Sequence, residues 1–113
     1  MPKIAATAAL LLLLATGPAL AKVPLLWNLT LNTINSVTIS PAGKNQWGAD
    51  QIVNDKDHAV DPDERLKITD VADGVYDVKF KDVKGRVCVV PNVEIHADKI
   101  FTIDEKALKG CTN

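Results

Sequence analysis

The sequence predicts an all-β protein, an antiparallel β-sandwich of about six or seven short strands with a short C-terminal helical turn. Three observations predict it. Asp70–Ile95 carries a hairpin signal, in which Tyr76, Val78 and Phe80 alternate with Asp77, Lys79 and Lys81 and a second run, Val87–Val90, follows Lys84-Gly85 directly. Turn residues recur every 8–12 residues or so along the rest of the chain. A single sheet would leave its apolar face open to water, so two layers are expected.

Residues 1–21 read as a secretory signal peptide. Lys3 gives a basic start, Ile4–Ala15 is apolar with Leu10–Leu14 unbroken, and Ala19-Leu20-Ala21 fits a small-x-small cleavage site. The apolar run is shorter than the roughly 20 residues of a membrane span. Residues 22–113 are then expected to form one β-sandwich domain, periplasmic or secreted, with no membrane insertion after cleavage. The formal net charge is −1 for the whole chain and becomes −2 once Lys3 leaves with the leader. That charge gives no reason to expect nucleic acid as a partner.

Along the chain, Leu25–Thr33 alternates, and Leu25, Trp27, Leu29 and Leu31 form the more apolar phase, expected to be the buried one. Asn32–Asn35 reads as a turn. Ser36–Ser40 follows as a second strand, with Val37 and Ile39 inward, pairing with the first and ended by Pro41. Pro41–Gln46 is turn chemistry. Asn54–Glu64 is the most polar stretch and reads as a surface loop. Arg65–Asp70 is a third strand with Leu66 and Ile68 inward. In the central hairpin, Asp73-Gly74 and Lys84-Gly85 mark the ends of the fourth strand, where glycine can take positive φ. Pro91 in the fifth strand implies a bulge or an edge, with Val93–Ile95 continuing it. Lys99–Ile103 is a sixth strand. Asp104–Lys109 reads as a helical turn with Gly110 as its cap.

Cys88 and Cys111 are the only cysteines. One disulfide is the simplest pairing in an exported chain and would contribute about 3 kcal/mol by closing a loop of about 23 residues. Two free thiols are the alternative that spacing leaves open.

Catalytic residues are not expected. Ser36 and Ser40 lie in a predicted strand, no G-x-S-x-G elbow is present, and a Cys88–His96 dyad would lose its nucleophile to a disulfide. Asp55, Asp57, Asp61, Asp63 and Glu64, with His58 among them, suggest calcium or another metal as a cofactor. The EF-hand order fails, because Ala59 stands at the third ligand position and Val60 where glycine is needed. A solvated loop is the plainer reading. Lys79, Lys81, Lys84 and Arg86 read as a mixed, solvated face beside Asp77 and Asp82. Asn28-Leu29-Thr30 is formally a glycosylation sequon. Trp47-Gly48-Ala49-Asp50 admits two readings. In one, Trp47 plugs an end of the sandwich and Asp50 binds loop amides. In the other, both residues form part of a recognition surface.

The strings N-T-I-N-S-V-T-I-S-P-A-G-K-N-Q-W-G-A-D-Q-I, D-P-D-E-R-L-K-I and G-V-Y-D-V-K-F-K-D-V-K-G-R resemble a group of small exported bacterial proteins of uncharacterised function. The specific element is Trp47-Gly48-x-Asp50 following Ser40-Pro41. The group's turn glycine is replaced here by Asp63, and the cysteine often found just before its Y/F-D strand is missing, so no disulfide pairing is carried over. The hairpin is also similar to that of prealbumin-like sandwich modules, which implies an immunoglobulin-like or prealbumin-like fold and no activity. The resemblance implies a bacterial envelope setting. The function expected is non-enzymatic binding of an unknown protein or small ligand, through Pro41–Asp50 and Asn54–Glu64. A metal-binding envelope protein, or a small hydrolase or protease inhibitor, are the alternatives.

Overall fold

The computed structural model describes residues 22–113; the signal-peptide reading of residues 1–21 lies outside the described residues. Seven strands form two sheets. They are β1 (Leu25–Leu29), β2 (Ile34–Pro41), β3 (Arg65–Lys67), β4 (Gly74–Asp82), β5 (Val87–Ile95), β6 (Ile100–Asp104) and β7 (Gly110–Thr112). One sheet has the order β3-β1-β6 and the other β2-β4-β5-β7. They pack face to face as an all-β sandwich. Its core is built from Leu26, Leu66, Phe101 and Ile103 of the first sheet and Val37, Ile39, Val78, Phe80, Cys88 and Ile95 of the second, with Ile34, Ile52, Val60 and Ile68 closing the ends.

The hairpin β4–β5 is antiparallel as expected. Asp82–Gly85 makes the turn, with Gly85 at φ 86° where a Cβ would be strained, whereas Gly74 sits in the strand without positive φ. The expected bulge is at Pro91: Tyr76 pairs with Val93 and Val78 with Val90, so Asp77 faces both Pro91 and Asn92. Asp77 holds it, accepting from the Asn92 amide at 3.1 Å, with Asn92 at φ 55°.

Several expectations are corrected. β1 does not pair with β2; it lies in the other sheet, antiparallel to β3 and parallel to β6, so the sandwich is not wholly antiparallel. The third strand, expected over Arg65–Asp70, stops at Lys67, three residues short of Asp70. The C-terminal turn is a short 3-10 segment, Glu105–Ala107, capped by Asp104 accepting from the Lys106 amide. Gly110 is not its cap but the start of β7, where an added Cβ would lie 3.0 Å from the Val89 carbonyl oxygen.

The alternation of β1 is real but its phase is reversed. Leu26, Asn28 and Thr30 point inward, while Leu25, Trp27 and Leu29 are only half-buried and Leu31 is 77 % exposed. The inward polar pair is stable because it is satisfied. Asn28 Nδ2 donates to the carbonyls of Asn32 (3.0 Å) and Val60 (2.9 Å), and its Oδ1 accepts from the amide and hydroxyl of Thr30 (2.9 and 2.7 Å). A fully buried asparagine with every hydrogen-bonding position filled ties β1 to the loop before β3 and is closed to glycan attachment in the folded chain.

Cys88 and Cys111 form a disulfide between directly opposed positions of β5 and β7. A three-residue strand has too few ladder bonds to hold an edge unaided, and the bond fixes it there.

Candidate functional site

The segment after β2 turns back and covers that strand's open edge. The turn Pro41–Lys44 is closed by the Lys44 amide on the Pro41 carbonyl, with Gly43 at φ 76°. The Gln46 amide then donates to Ser40 Oγ (2.8 Å) and the Gly48 amide to the Ile39 carbonyl (3.0 Å). Asp50 completes the cover. Its Oδ1 accepts from the amides of Val37 (2.8 Å) and Ile52 (3.0 Å), and its Oδ2 from Ser36 Oγ (2.7 Å). Burial pushes the Asp50 carboxyl up, but the bonds from Val37, Ser36 and Ile52, with the charge of Lys81, outweigh it and hold the group below its ordinary value. The spacing of the W-G-x-D string therefore has a local cause. Glycine brings one amide, and aspartate two carboxylate oxygens, to an edge that would otherwise be an unpaired template.

Trp47 does not plug the sandwich. It is half-buried, with its ring 4.4 Å from Lys79 Nζ on the outer face of the four-stranded sheet.

Beyond Asp50, the 3-10 turn Gln51–Asn54 crosses from β2 toward β3. Gln51 is buried and pairs with Thr69 as a strand residue would, its Nε2 donating to the Thr69 carbonyl (2.9 Å) and its Oε1 accepting from the Thr69 amide (3.0 Å). Asn54 Nδ2 donates to the Lys67 carbonyl (2.9 Å). Between this brace and the segment Thr69–Ala72 lies an open cleft of about 540 Å³. Ile39, Ala49, Val53, Val71 and Tyr76 supply apolar walls, and Tyr76 is fixed by its hydroxyl donating to the Ala72 carbonyl (2.6 Å). Asp50 borders the cleft, but both of its oxygens are occupied. The arrangement suits holding an apolar or peptide-like group against main-chain polar atoms.

The acidic loop does not gather its carboxylates. Asp55 Oδ2 accepts from the amides of Asp57 and Ala59, Asp61 Oδ1 from Thr33 Oγ1, Glu64 Oε1 from the Asp61 amide, and Asp63 Oδ1 from Trp27 Nε1. His58 sits at a turn position with φ 53°. Among the described residues no three His, Cys, Asp or Glu side chains converge as a metal site. The expected site residues Asp55, Asp57, His58, Asp61 and Asp63 are thus not brought together; the carboxylate of Asp55 accepts from loop amides, and those of Asp61 and Asp63 from Thr33 and Trp27. The Cys88–His96 dyad is likewise absent, since Cys88 is in the disulfide and His96 lies between Asp73 (3.6 Å) and Glu94 (3.8 Å).

Reading Arg86 as part of a solvated face misses a buried network. The Asp82 side chain is fully buried and accepts from the amides of Lys84 and Arg86, from Arg86 Nε and from Asn32 Nδ2. The guanidinium of Arg86 also forks onto both oxygens of Glu105, which accepts from the Leu31 amide in turn. The network joins the β1–β2 connection, the β4–β5 hairpin and the segment after β6. The D-x-x-G-R string was the only sign of it, marking a turn aspartate with arginine four residues on.

Comparison of the chain with protein-family models, with curated proteins and with solved structures finds no match.

Proposed function

We propose that this chain is an exported, non-enzymatic binding protein of the bacterial cell envelope that takes a small ligand or a protein segment in the cleft beside Asp50. The observation that carries the reading is the cleft itself. Its walls are mainly apolar, and its rim is held by Asp50, Gln51 and Tyr76 through hydrogen bonds already made. A rim fixed before the ligand arrives lowers the ordering cost of binding. The Cys88–Cys111 disulfide fits an oxidising compartment, and residues 1–21 have the pattern of a leader. The resemblance to small exported bacterial proteins supports the same setting.

The test is a fragment screen read by amide chemical shifts on residues 22–113. Hits should move Ala49, Val53, Val71 and Tyr76 together, and Ala49→Trp should abolish those shifts with the thermal midpoint unchanged. Shifts scattered over the surface, or unaffected by Ala49→Trp, would count against the cleft.

A further inference from the structure

The cleft beside Asp50 runs between two stretches of chain outside the strands, and neither uses all of its main-chain groups. On one side, the amides of Gln46 and Gly48 both turn toward β2, onto Ser40 Oγ and the Ile39 carbonyl. Alternate residues of an extended segment face the same way, so Trp47 and Ala49 turn their amides and carbonyls away from β2. On the other side, Thr69 spends both of its main-chain groups on Gln51, and Asp70 then takes a left-handed φ of 59°. Ala49, Asp70 and Val71 all line the cleft, and among the described residues no hydrogen bond reaches the amide or carbonyl of any of the three.

Charge on the lining has one sign. Asp50 and Asp70 border the cleft, and no lysine, arginine or histidine does. The Asp50 oxygens are taken by Val37, Ile52 and Ser36, whereas the exposed Asp70 carboxylate accepts no hydrogen bond among the described residues. Val53 lines the same cleft at 63 % exposure, an apolar side chain left in water beside Tyr76.

We propose that the occupant of the cleft is an extended peptide carrying a basic residue among small apolar ones. The main-chain groups of Ala49 and Val71 pair with its backbone, Val53 and Tyr76 take an apolar side chain, and Asp70 takes the ammonium or guanidinium. The proposal rests on the reading of this cleft as the binding site and narrows its ligand. A carboxylate or phosphate would meet two acids and no cation. A neutral apolar molecule would cover the free amides and carbonyls without pairing them, and each would lose its water for nothing. A peptide backbone supplies both a donor and an acceptor at every residue.

Amide chemical-shift titration of residues 22–113 tests this. The probes are three capped pentapeptides of alanine and valine with lysine, glutamine or glutamate at the centre. The lysine peptide should move Ala49, Val53, Val71 and Tyr76 together. It should bind about threefold more tightly than the glutamine peptide at low salt, the gain expected of one exposed ion pair, and lose that margin at high salt. The glutamate peptide should be the weakest. Asparagine accepts left-handed φ as aspartate does, so Asp70→Asn should leave the thermal midpoint unchanged. It should bring the lysine peptide down to the glutamine one and leave the glutamine peptide as it was. Methylating the peptide's backbone nitrogens should cost about tenfold. Fragments that move the four amides while no peptide does would keep the cleft as a site and overturn the peptide. If neither fragments nor peptides move them, the cleft reading fails and this proposal with it. A lysine preference that survives Asp70→Asn, a glutamate peptide as tight as the lysine one, or methylated peptides that bind unimpaired would each overturn it too.

Discussion

Asp82 and Arg86 are joined three times across one turn: the Arg86 amide and Nε both donate to the Asp82 carboxylate at 3.0 Å, and the Asp82 amide donates to the Arg86 carbonyl at the same distance. The Asp82 side chain is fully buried and that of Arg86 is 20 % exposed. A buried carboxylate is tolerated only while its charge is matched and its lone pairs are filled. Arg86→Leu should therefore destabilise the protein by about 3 kcal/mol, because it strands Asp82 and frees Glu105. Urea unfolding checks it; a loss under about 1 kcal/mol would mean that solvent compensates the pair.

The same carboxylates set an acid limit. Burial pushes Asp82 up, but the bonds from Asn32, Arg86 and Lys84 outweigh it and leave it lowered; the bond from Arg86 lowers Glu105; Asp50 is lowered by its own donors. In each case the folded state holds its proton less tightly than the unfolded chain. The unfolded state thus binds more protons in this range, and stability rises with pH through it. These contributions are complete above the ordinary carboxyl range and are lost as pH falls through about 4 and below. Unfolding midpoints should be level from about pH 7 to 5 and drop steeply beneath, with Asp82→Asn showing a shallower fall. Equal acid limbs for wild type and variant would contradict this.

Reduction of Cys88–Cys111 should release β7 and lower stability by about 3 kcal/mol. Hydrogen exchange under reducing conditions should show lost protection at Gly110–Thr112 and along the adjacent edge of β5 while β4 stays protected. Uniform loss across both sheets would mean that the bond supports the whole core.

The hairpin was legible because Tyr76–Phe80 holds apolar residues in one phase only and Asp82–Gly85 is a turn string. The bulge was legible because Pro91 lacks an amide. β1 was harder, since Leu26 competes with Leu25 and Trp27 and the inward phase also holds Asn28 and Thr30. Only the carbonyls of Val60 and Asn32, brought near by the fold, make burial of that asparagine favourable. The partners of β1 lie 38 or more residues away, Trp27 with Arg65 being the nearest pair, and nothing local names them. Asp50 as an amide acceptor followed from residue type, but the stacking of Trp47 on Lys79 depends on where the loop crosses the sheet. Arg86 looked like its neighbouring lysines because its partner Glu105 is 19 residues distant.

Asn28→Ala should cost about 2 kcal/mol by leaving the buried Thr30 amide without its acceptor and removing one of the two donors to each of the Asn32 and Val60 carbonyls, which keep the Thr30 hydroxyl and the Ile34 amide; urea unfolding checks it, and a loss under about 0.5 kcal/mol would contradict it. Asp50→Ala should cost about 2 kcal/mol and raise amide exchange at Val37 and Ile52 first, since those donors lose their acceptor. Slow exchange kept at both amides would show that the loop covers the edge without its carboxylate.

The inward face of β1 is the claim on which the sandwich core and the buried network at its end both depend. Thermal unfolding of Leu26→Lys beside Leu29→Lys tests it most directly. With Leu26 inside and Leu29 outside, the first variant should fail to fold, or melt far below the wild type, and the second should melt within a few degrees of it. A collapse of the Leu29→Lys variant with Leu26→Lys spared would reverse the strand's faces and contradict the account.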